Sequence, residues 1–267
     1  MSKDGKHHHS PVFYLGQWVG EDRQLCEYKR RHHGVLPKRV FPDKTGYQHG
    51  LYSVQGLPPT DRQYVEKKYM ARVDSEAAIA LTAMLDETLP PSDFSRRMEV
   101  AWARFLYSLT FRSPNVIKRL QSQMDQQVAE GKIKQPEIPF AAAEVFPSML
   151  GSPNVVKELV GMNWVTSNLG QARNMLLTSD RPVIMTNGLL HAEAHIAVPI
   201  SPRSFFLAYR TDEMFQLIAA MSQDDLVAEI NDRVVRQAVE FVYAFDDGQT
   251  DFIAARFGEQ VRSTPLG

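Results

Sequence analysis

Hydrophobic and polar residues alternate in short runs over residues 1–58, and this pattern predicts a zone of strands and turns. Residues 23–28 give the clearest example, because polar and apolar side chains alternate there with the period of a half-buried strand. The other strand candidates and the dipeptides that mark turns in this zone are residues 38–41, residues 51–54, His33-Gly34 and Thr45-Gly46.

The hydrophobic period changes to that of helices over residues 60–170. A long helix is predicted from the capping pair Thr60-Asp61 to about Leu89, where two prolines follow. Its apolar residues recur every three or four positions and form one buried face: Tyr69, Val73, Ala77, Ala80, Leu81, Met84 and Leu85. The starts predicted for the later helices are Ser92, Ser113-Pro114 (for a helix ending at Gly131) and Ser152-Pro153, the last two with serine as cap and proline in the first turn.

Strand and helix patterns are mixed over residues 171–267. Apolar residues dominate the strand candidates, which suits the middle of a sheet covered by helices: residues 175–177, 182–185, 196–200 and 205–209. Ser222 is predicted to cap a long helix with a stripe of apolar residues every four positions, namely Leu226, Ile230, Val234, Ala238 and Val242. A short helix is predicted over residues 250–257.

The three zones predict one α+β domain over residues 1–267, because no linker rich in proline, glycine and serine separates them. Strand patterns lie at both ends of the chain and bracket the helices. We therefore expect one mixed sheet, formed by N-terminal and C-terminal strands, packed against a central bundle of helices.

Composition indicates a protein of a reducing compartment. Cys26 is the one cysteine of the chain, so no internal disulfide can form. The first ten residues are polar and lack the apolar stretch of a secretory signal. No sequence window approaches the roughly 18 apolar residues of a membrane helix. We expect a cytoplasmic protein that is not embedded in a membrane.

Charge is unevenly distributed although the net charge is only −1. Residues 23–44 hold seven Lys or Arg against two acids, and residues 211–251 hold ten acids. One reading is a nucleic-acid patch formed by Arg30, Arg31, Lys38 and Arg39. The alternative is a hairpin whose cations face water or the acidic C-terminal stretch, since aromatic residues do not alternate with the basic ones as stacking platforms would.

Four ordered segments carry a resemblance to a known family. They are Lys6-His7-His8-His9-Ser10-Pro11-Val12-Phe13-Tyr14-Leu15, Gly50-Leu51-Tyr52-Ser53, Thr178-Ser179-Asp180-Arg181-Pro182-Val183 and Pro199-Ile200-Ser201-Pro202-Arg203. Asn231, with Ala238 and Phe241-Val242-Tyr243 downstream, resembles the closing helix of the same family. Together they resemble the bacterial family catalogued as domain of unknown function 4238, over nearly the whole chain.

The resemblance implies a fold and a set of candidate residues, without an activity. Beyond the histidines and Asp180, it adds Tyr14, Ser179 and Asn231 as candidate site residues. The chain departs from the pattern at His9 in place of an aromatic, at Gly16 in place of a basic residue, and at Asp74 in place of Glu.

The run His7-His8-His9 is the strongest candidate for chemistry, because imidazole is a metal ligand and a neutral-pH acid or base. Adjacent strand residues point to opposite faces, so on a strand either His7 and His9 or His8 alone can share one site. The alternatives are a histidine packed against a sheet and bonded to backbone, or, for His9, a disordered polar start.

Acidic residues supply further candidates. Asp180 follows a predicted strand, which suits a catalytic or metal-binding carboxylate, but the Ser179-Asp180 pair can equally cap a turn by bonding nearby backbone. Glu66 and Asp74 are about two helical turns apart and share roughly one face, where they can act as metal ligands or as a general base. The alternative is that both acids lie on a solvated helix face, where the nearby Lys67, Lys68 and Arg72 are their partners.

Polar residues at three other places in the sequence are expected to have structural roles or give only a weak signal for a site. Ser201 lies between two prolines without the glycine motif of a nucleophile, so it is interpreted as a turn residue. Asn231 on an apolar helix face must bond a neighbouring loop or a ligand. His191 and His195 have the spacing of a helical zinc site but follow an Asn-Gly turn. Phosphate-loop and dinucleotide-binding glycine motifs are absent from the sequence.

Two functions of different classes follow. The first is a metal-assisted hydrolase acting on nucleic acid or another phosphodiester, in which His7 or His8, Glu66 and Asp180 converge. His8 and Asp180 would bind a divalent ion that activates water. The second is a non-catalytic binding or interaction module, in which the same polar residues form a buried network. The partner and the oligomeric state are open in both.

Overall fold

A computed structural model describes residues 5–31, 34–51, 69–90, 93–132 and 152–260. Its strands are β1 (Lys6–His8), β2 (Leu25–Arg31), β3 (Gly34–Val40), β4 (Tyr47–His49), β5 (Asn163–Asn168), β6 (Thr178–Ser179), β7 (Ile184–Thr186), β8 (His195–Ser201), β9 (Ser204–Tyr209) and β10 (Phe241–Ala244). Its helices are α1 (Val12–Leu15), α2 (Ala71–Leu85), α3 (Arg96–Phe111), α4 (Pro114–Ala129), α5 (Pro153–Val160), α6 (Asp212–Ala219), α7 (Gln223–Arg236) and α8 (Thr250–Ala254).

The strands form three sheets, and each of their pairings is antiparallel. The orders are β1-β4, β3-β2-β10-β6 and β5-β9-β8-β7. The α+β class is confirmed, whereas the single mixed sheet was wrong. Pairing of the two chain ends is confirmed, because β10 lies between β2 and β6, with Val242 opposite both Tyr28 and Ser179.

The sheet β5-β9-β8-β7 is covered by apolar side chains on both faces. Ile196, Val198 and Phe206 pack into the core that contains α2, α3 and α5. Their neighbours in β8 and β9 point the other way and pack against α7. Apolar runs without polar alternation are what a strand with two buried faces requires, so this prediction is confirmed for β8 and β9.

Several predicted boundaries are corrected by local hydrogen bonds. The helix expected from Ser92 begins at Arg96, because the Ser95 hydroxyl caps it by accepting from the Met98 amide. The helix expected to reach Leu89 ends at Leu85, where Asp86 leaves the helical conformation and its carboxylate accepts from Thr88. Its predicted start at Thr60-Asp61 and the strand at residues 52–54 lie outside the described residues.

The predicted C-terminal helix is too long, because its row of regularly spaced apolar residues continues past the end of the helix in the structure. The helix α7 begins after Ser222, whose hydroxyl accepts from the Asp225 amide, but it ends at Arg236. Val242 belongs to β10, in which every residue is buried. The strand β10 lies between β2 and β6, and its residues are apolar because they are buried in and beside this sheet. Val242 therefore matches the helical spacing only by coincidence.

Residues 175–177 form a loop rather than a strand, and β5 was missed because its residues are mostly polar or half-exposed. Ser152 precedes α5 as expected, but its side chain makes no capping hydrogen bond. Among the described residues no helix is both long and apolar enough to span a membrane.

Candidate functional site

The N-terminal histidines and the Ser-Asp turn meet at one residue of β10, Phe241. The His9 and Phe241 rings have centroids 5.8 Å apart. The Asp180 amide donates a hydrogen bond of 3.1 Å to the Phe241 carbonyl. The imidazole therefore lies at the side chain of Phe241 and the turn at its backbone. The two features adjoin the same strand without forming one cluster.

Asp180 uses its carboxylate to hold the chain that enters β10. One oxygen accepts from the Val239 amide at 2.9 Å and the other from the Glu240 amide at 2.7 Å. Burial raises the pKa of Asp180 to about 6, and these two hydrogen bonds oppose the shift. The Ser179 hydroxyl accepts from the Arg181 amide at 3.1 Å. Ser179 thus makes the local backbone contact that the turn-capping alternative describes, whereas Asp180 bonds a segment that is distant in the sequence.

Tyr14 and Asn231 join segments that are far apart in the sequence. The Tyr14 hydroxyl donates to the Pro199 carbonyl and lies 2.7 Å from the Thr178 hydroxyl. The buried Asn231 amide accepts from the Leu177 amide at 2.8 Å and donates to the Met175 carbonyl at 2.9 Å. The expectation that Asn231 bonds a neighbouring loop is confirmed.

The histidine run forms β1 and the first residue after it. His7 and His9 are buried, and His8 between them is half-buried, which fits alternation along a strand. The His9 ring lies 3.3 Å from the Ser10 hydroxyl. Burial lowers the pKa of His9 to about 4, with smaller contributions from His8, Lys29 and Arg112, so His9 is neutral at pH 7.

His8 is half-buried, and its pKa is lowered. Its ring lies beside Tyr47, with centroids 5.6 Å apart. Burial and the charge of Lys6 lower its pKa, whereas the Asp43 carbonyl and the Asp74 carboxylate oppose this. Nε2 is buried and has no hydrogen-bond partner in the described part of the chain. The Asp43 backbone makes a hydrogen bond with the ring, and in a neutral imidazole one of the two ring nitrogens carries a lone pair.

An ion pair between α2 and the end of α3 lies next to the histidines. An Asp74 oxygen is 2.6 Å from an Arg112 guanidinium nitrogen, and Arg112 is only 1% exposed. The Arg112 Nε donates to the Ser108 hydroxyl at 2.9 Å. Arg112 also acts on His9 by its charge. A buried arginine requires such partners, so Asp74 and Ser108 fix its position.

Arg112 was missed by the sequence analysis, while Asp74 had been singled out. A weak signal existed, because Arg112 follows the apolar face of α3 directly and Ser108 is one helical turn before it. That spacing does not tell a buried arginine from one that turns to solvent. Only the packing of α2 against α3 decides the matter.

The predicted metal site is not assembled by the residues described. Among them, no group of three or more His, Cys, Asp or Glu is arranged to hold a metal ion. No hydrogen bond or ion pair joins His8 to Asp180 in this part of the chain. Glu66 lies outside the described residues. His191 and His195 do not share a helix face, because His195 begins β8 and His191 lies in the loop before it, as the Asn-Gly turn indicated.

The basic hairpin of β2 and β3 contacts the C-terminal part of the chain. Arg30 donates to the Phe257 carbonyl, and its guanidinium lies 5.8 Å from the Phe257 ring centroid. Arg39 donates to the Phe245 carbonyl at 2.7 Å and pairs with Asp22. Lys38 is exposed, and nothing is described of the Arg31 side chain. Arg39 therefore contacts a backbone carbonyl of the acidic C-terminal stretch, whereas Arg30 contacts Phe257, which lies after that stretch.

Over the described residues these features define an α+β protein with three antiparallel sheets, in which an N-terminal histidine strand lies near an ion pair between Asp74 and the buried Arg112. Residues 6–248 match the family model described as "Protein of unknown function (DUF4238)", and the chain belongs to this family. The resemblance stated from the motifs is confirmed. No curated protein and no solved structure matches the chain.

Proposed function

We propose that the chain is a hydrolase of phosphodiesters in which His8 acts as the general base. The observation that carries this proposal is the buried Nε2 of His8, which has no hydrogen-bond partner among the described residues. Leaving a buried polar atom unpaired costs about 1–3 kcal/mol. In the proposed enzyme the side chains that cover Nε2 move to admit a reacting water, and the hydrogen bond that this water donates to Nε2 offsets the cost.

The protonation state of His8 suits this role. Its lowered pKa keeps the imidazole neutral at pH 7, and the Asp43 carbonyl orients the ring. In the proposed step Nε2 takes a proton from water, and the water oxygen attacks phosphorus. The bond from phosphorus to the leaving oxygen breaks, and the proton on His8 passes to that oxygen. The Asp74 carboxylate stabilises the imidazolium that exists between the two transfers.

Cations beside the histidines favour an anionic substrate. The Lys6 ammonium lies 4.4 Å from the Tyr47 ring centroid, and its charge acts on His8. The Lys29 ammonium lies 4.7 Å from the Phe241 ring centroid, and its charge acts on His9. Both lysines can attract a phosphate group toward the strand that carries His8.

A divalent ion remains part of the proposal to be tested. The His8 imidazole and the Asp74 carboxylate are two donors near each other, whereas catalytic zinc sites commonly have three protein ligands. We therefore derive the proton transfer from His8 alone. Dependence on an added ion would indicate that a further ligand, such as Glu66, completes a metal site.

A binding module without catalysis is the second candidate. The observation that favours it is the use of Asp180, Tyr14 and Asn231 in hydrogen bonds within the protein. These family-motif residues use their polar groups to hold segments of the chain together. Under this proposal the histidines and lysines bind a phosphate-containing partner without cleaving it.

The test is hydrolysis of bis(p-nitrophenyl) phosphate, single-stranded DNA and RNA, each with chelator, Mg²⁺ or Mn²⁺. We expect His8→Ala to lower the rate by about 10²–10⁴-fold, the usual contribution of a general base. The matched control is His49→Ala, which removes an exposed histidine from the facing strand β4. Both variants are compared with the parent by thermal unfolding, so that loss of fold is recognised.

Three outcomes would reject the hydrolase. They are no hydrolysis of any substrate under every ion condition, equal rates for the parent and His8→Ala, or equal losses in both histidine variants. Binding of the oligonucleotides without cleavage would support the second candidate instead.

A further inference from the structure

The strand pair β1-β4 places a lysine, a histidine and a tyrosine on the same side. Residues two apart on a strand share a face, and so do directly opposed residues of two paired strands. His8 is opposite Tyr47, and Lys6 is two residues before His8, so these three side chains share one side. Lys6 is exposed and the other two are half-buried, whereas His7 on the opposite side is buried. The side that carries His8 is therefore the more accessible one.

The Tyr47 ring has the Lys6 ammonium over it, held by weak contacts. The ammonium lies 4.4 Å from the ring centroid and 3.4 Å from the Asp43 carbonyl oxygen. The first is a cation–π contact of an exposed lysine, and the second is a long hydrogen bond. The lysine stem is flexible, so the ammonium can leave the ring while the strand pair stays intact. A planar group can then take its place over Tyr47.

The same ammonium lies near the imidazole of His8. The Asp43 backbone contacts both side chains, because its carbonyl accepts from Lys6 and it makes a hydrogen bond with the His8 ring. The Asp43 carboxylate would repel a phosphate, but it is 2.5 Å from the Lys44 ammonium, which offsets its charge. A phosphate bound to Lys6 therefore lies near His8.

An aromatic ring beside a cation is a combination with which proteins bind single-stranded nucleic acid. The base stacks on the ring and the cation binds the phosphate backbone. A phosphodiester without a base uses the cation alone, and the bases of a duplex are already stacked on one another. The combination arises only when β1 pairs with β4, because Lys6 and Tyr47 are far apart in the sequence.

We propose that a base of single-stranded nucleic acid stacks on Tyr47, and that Lys6 leaves the ring to bind the adjacent phosphate near His8. This inference rests on the proposed function, because it names the substrate class of the same site. Its test measures binding without hydrolysis, so a failure of this inference is told apart from a failure of the hydrolase.

The test is fluorescence anisotropy with two labelled oligonucleotides of about eight nucleotides, a length within the usual range of single-strand sites. One is oligothymidylate, and the other is abasic at every position. Both have phosphorothioate linkages, which keep the charge and resist cleavage. We expect the parent protein to bind oligothymidylate at least about tenfold more tightly, because only this probe can stack on Tyr47. Equal affinities, or no binding of either probe, would overturn the proposal.

Variants of Tyr47 assign the stacking to this ring. Tyr47→Ala should bind both probes with the affinity that the parent has for the abasic probe, whereas Tyr47→Phe keeps the ring and the preference of the parent. The matched control is Tyr209→Ala, which removes a half-buried tyrosine from a different sheet and should leave the preference unchanged. A preference that persists in Tyr47→Ala, with the fold confirmed by circular dichroism, would reject Tyr47. If Tyr47→Ala does not fold, Tyr47→Leu takes its place, because it keeps apolar volume without a ring.

A variant of Lys6 tests the contact with phosphate. Lys6→Gln should weaken the binding of both probes by a similar factor, because both carry the same charges. It should also reduce the slope of log affinity against log salt concentration by about 1, the change expected for one lost phosphate contact. An unchanged slope would contradict the role of Lys6.

Discussion

Two buried titratable residues, His9 and Asp180, both contact Phe241, and the pKa values of their side chains are shifted in opposite directions. The pKa of His9 is lowered from 6.5 to about 4, and that of Asp180 is raised from 3.8 to about 6. His9 therefore stabilises the fold above pH 6.5, and this contribution is lost as the pH falls through 4. Asp180 contributes fully below pH 3.8, and its contribution is lost as the pH rises through 6.

The two contributions oppose each other between pH 4 and 6, each amounting to at most about 3 kcal/mol. We predict that His9→Gln makes the free energy of unfolding fall with rising pH across this interval, relative to the parent. Asp180→Asn should make it rise. Urea unfolding at a series of pH values measures both slopes, and variant curves that run parallel to the parent curve would contradict the assignment.

Gly46, directly before β4, lies where the chain comes close to Ser10 and to Tyr243 of β10. Its φ is +61°, and an added Cβ would lie 2.7 Å from the Ser10 Cβ and 3.1 Å from the Tyr243 hydroxyl. Gly34 also has a positive φ, +99°, but a Cβ there meets nothing within 4 Å in the described structure. The two glycines share the backbone strain and differ in the close contact.

We therefore predict that Gly46→Ala lowers the free energy of unfolding by about 2–4 kcal/mol, from positive φ and overpacking together. Gly34→Ala should cost only about 1–2 kcal/mol, from φ alone. Chemical denaturation of the two variants measures the difference. Equal losses would show that Ser10 and Tyr243 are not packed against Gly46 as described.

Single side chains fix how the short helix α1 packs against two sheets. The Tyr14 hydroxyl, buried in α1, reaches Thr178 of β6 and the Pro199 carbonyl of β8, which belong to different sheets. The Trp18 indole donates to the Leu176 carbonyl at 2.9 Å in the same region. The segment that follows the histidines is thereby attached to the C-terminal half.

Removal of one hydroxyl tests this attachment. Tyr14→Phe should lower the free energy of unfolding by about 2–3 kcal/mol, because the buried Pro199 carbonyl and Thr178 hydroxyl lose their partner. Tyr209→Phe is the matched control; its half-buried ring stacks on Phe215 at 5.0 Å, and the loss should stay below about 0.5 kcal/mol. Similar losses in both variants would argue against the Tyr14 contacts.

The elements could be predicted from sequence where local chemistry decides them. The Ser-Pro pair before α4 and the apolar runs of β8 and β9 each identify their element without the rest of the chain. The end of α7 could not be predicted, because it depends on Asp180, which bonds the Val239 and Glu240 amides from 59 and 60 residues away. No local pattern contains that contact.

The connection between the two ends of the chain is the feature on which the whole molecule depends. The strand β10 pairs with β2 on one side and with β6 on the other, so residues from the start, the middle and the end of the chain share one sheet. Strand patterns at both ends predicted this meeting. They could not predict that the described strands form three separate sheets, because hydrophobic periodicity and strand propensity do not specify which strands pair.

Only part of the candidate site could be predicted, because the sequence shows residue types and does not show which residues pack together. The histidine run and Asp74 stand out by residue type, and both lie in the proposed centre. Arg112 and the Asp43 carbonyl contribute through packing, since the Asp43 contact depends on the turn between β3 and β4 and the Arg112 contact on α2 lying against α3. Asp180 stood out equally, but its contacts serve the fold.

The most direct test of His8 as the general base is the pH dependence of kcat/KM for bis(p-nitrophenyl) phosphate. We expect the parent to show one rising limb with a pKa below 6.5, since burial and Lys6 lower the pKa of His8. The limb should disappear in His8→Ala and persist in His49→Ala. A limb that is unchanged in His8→Ala, or a parent with no activity at any pH, would contradict the proposed role.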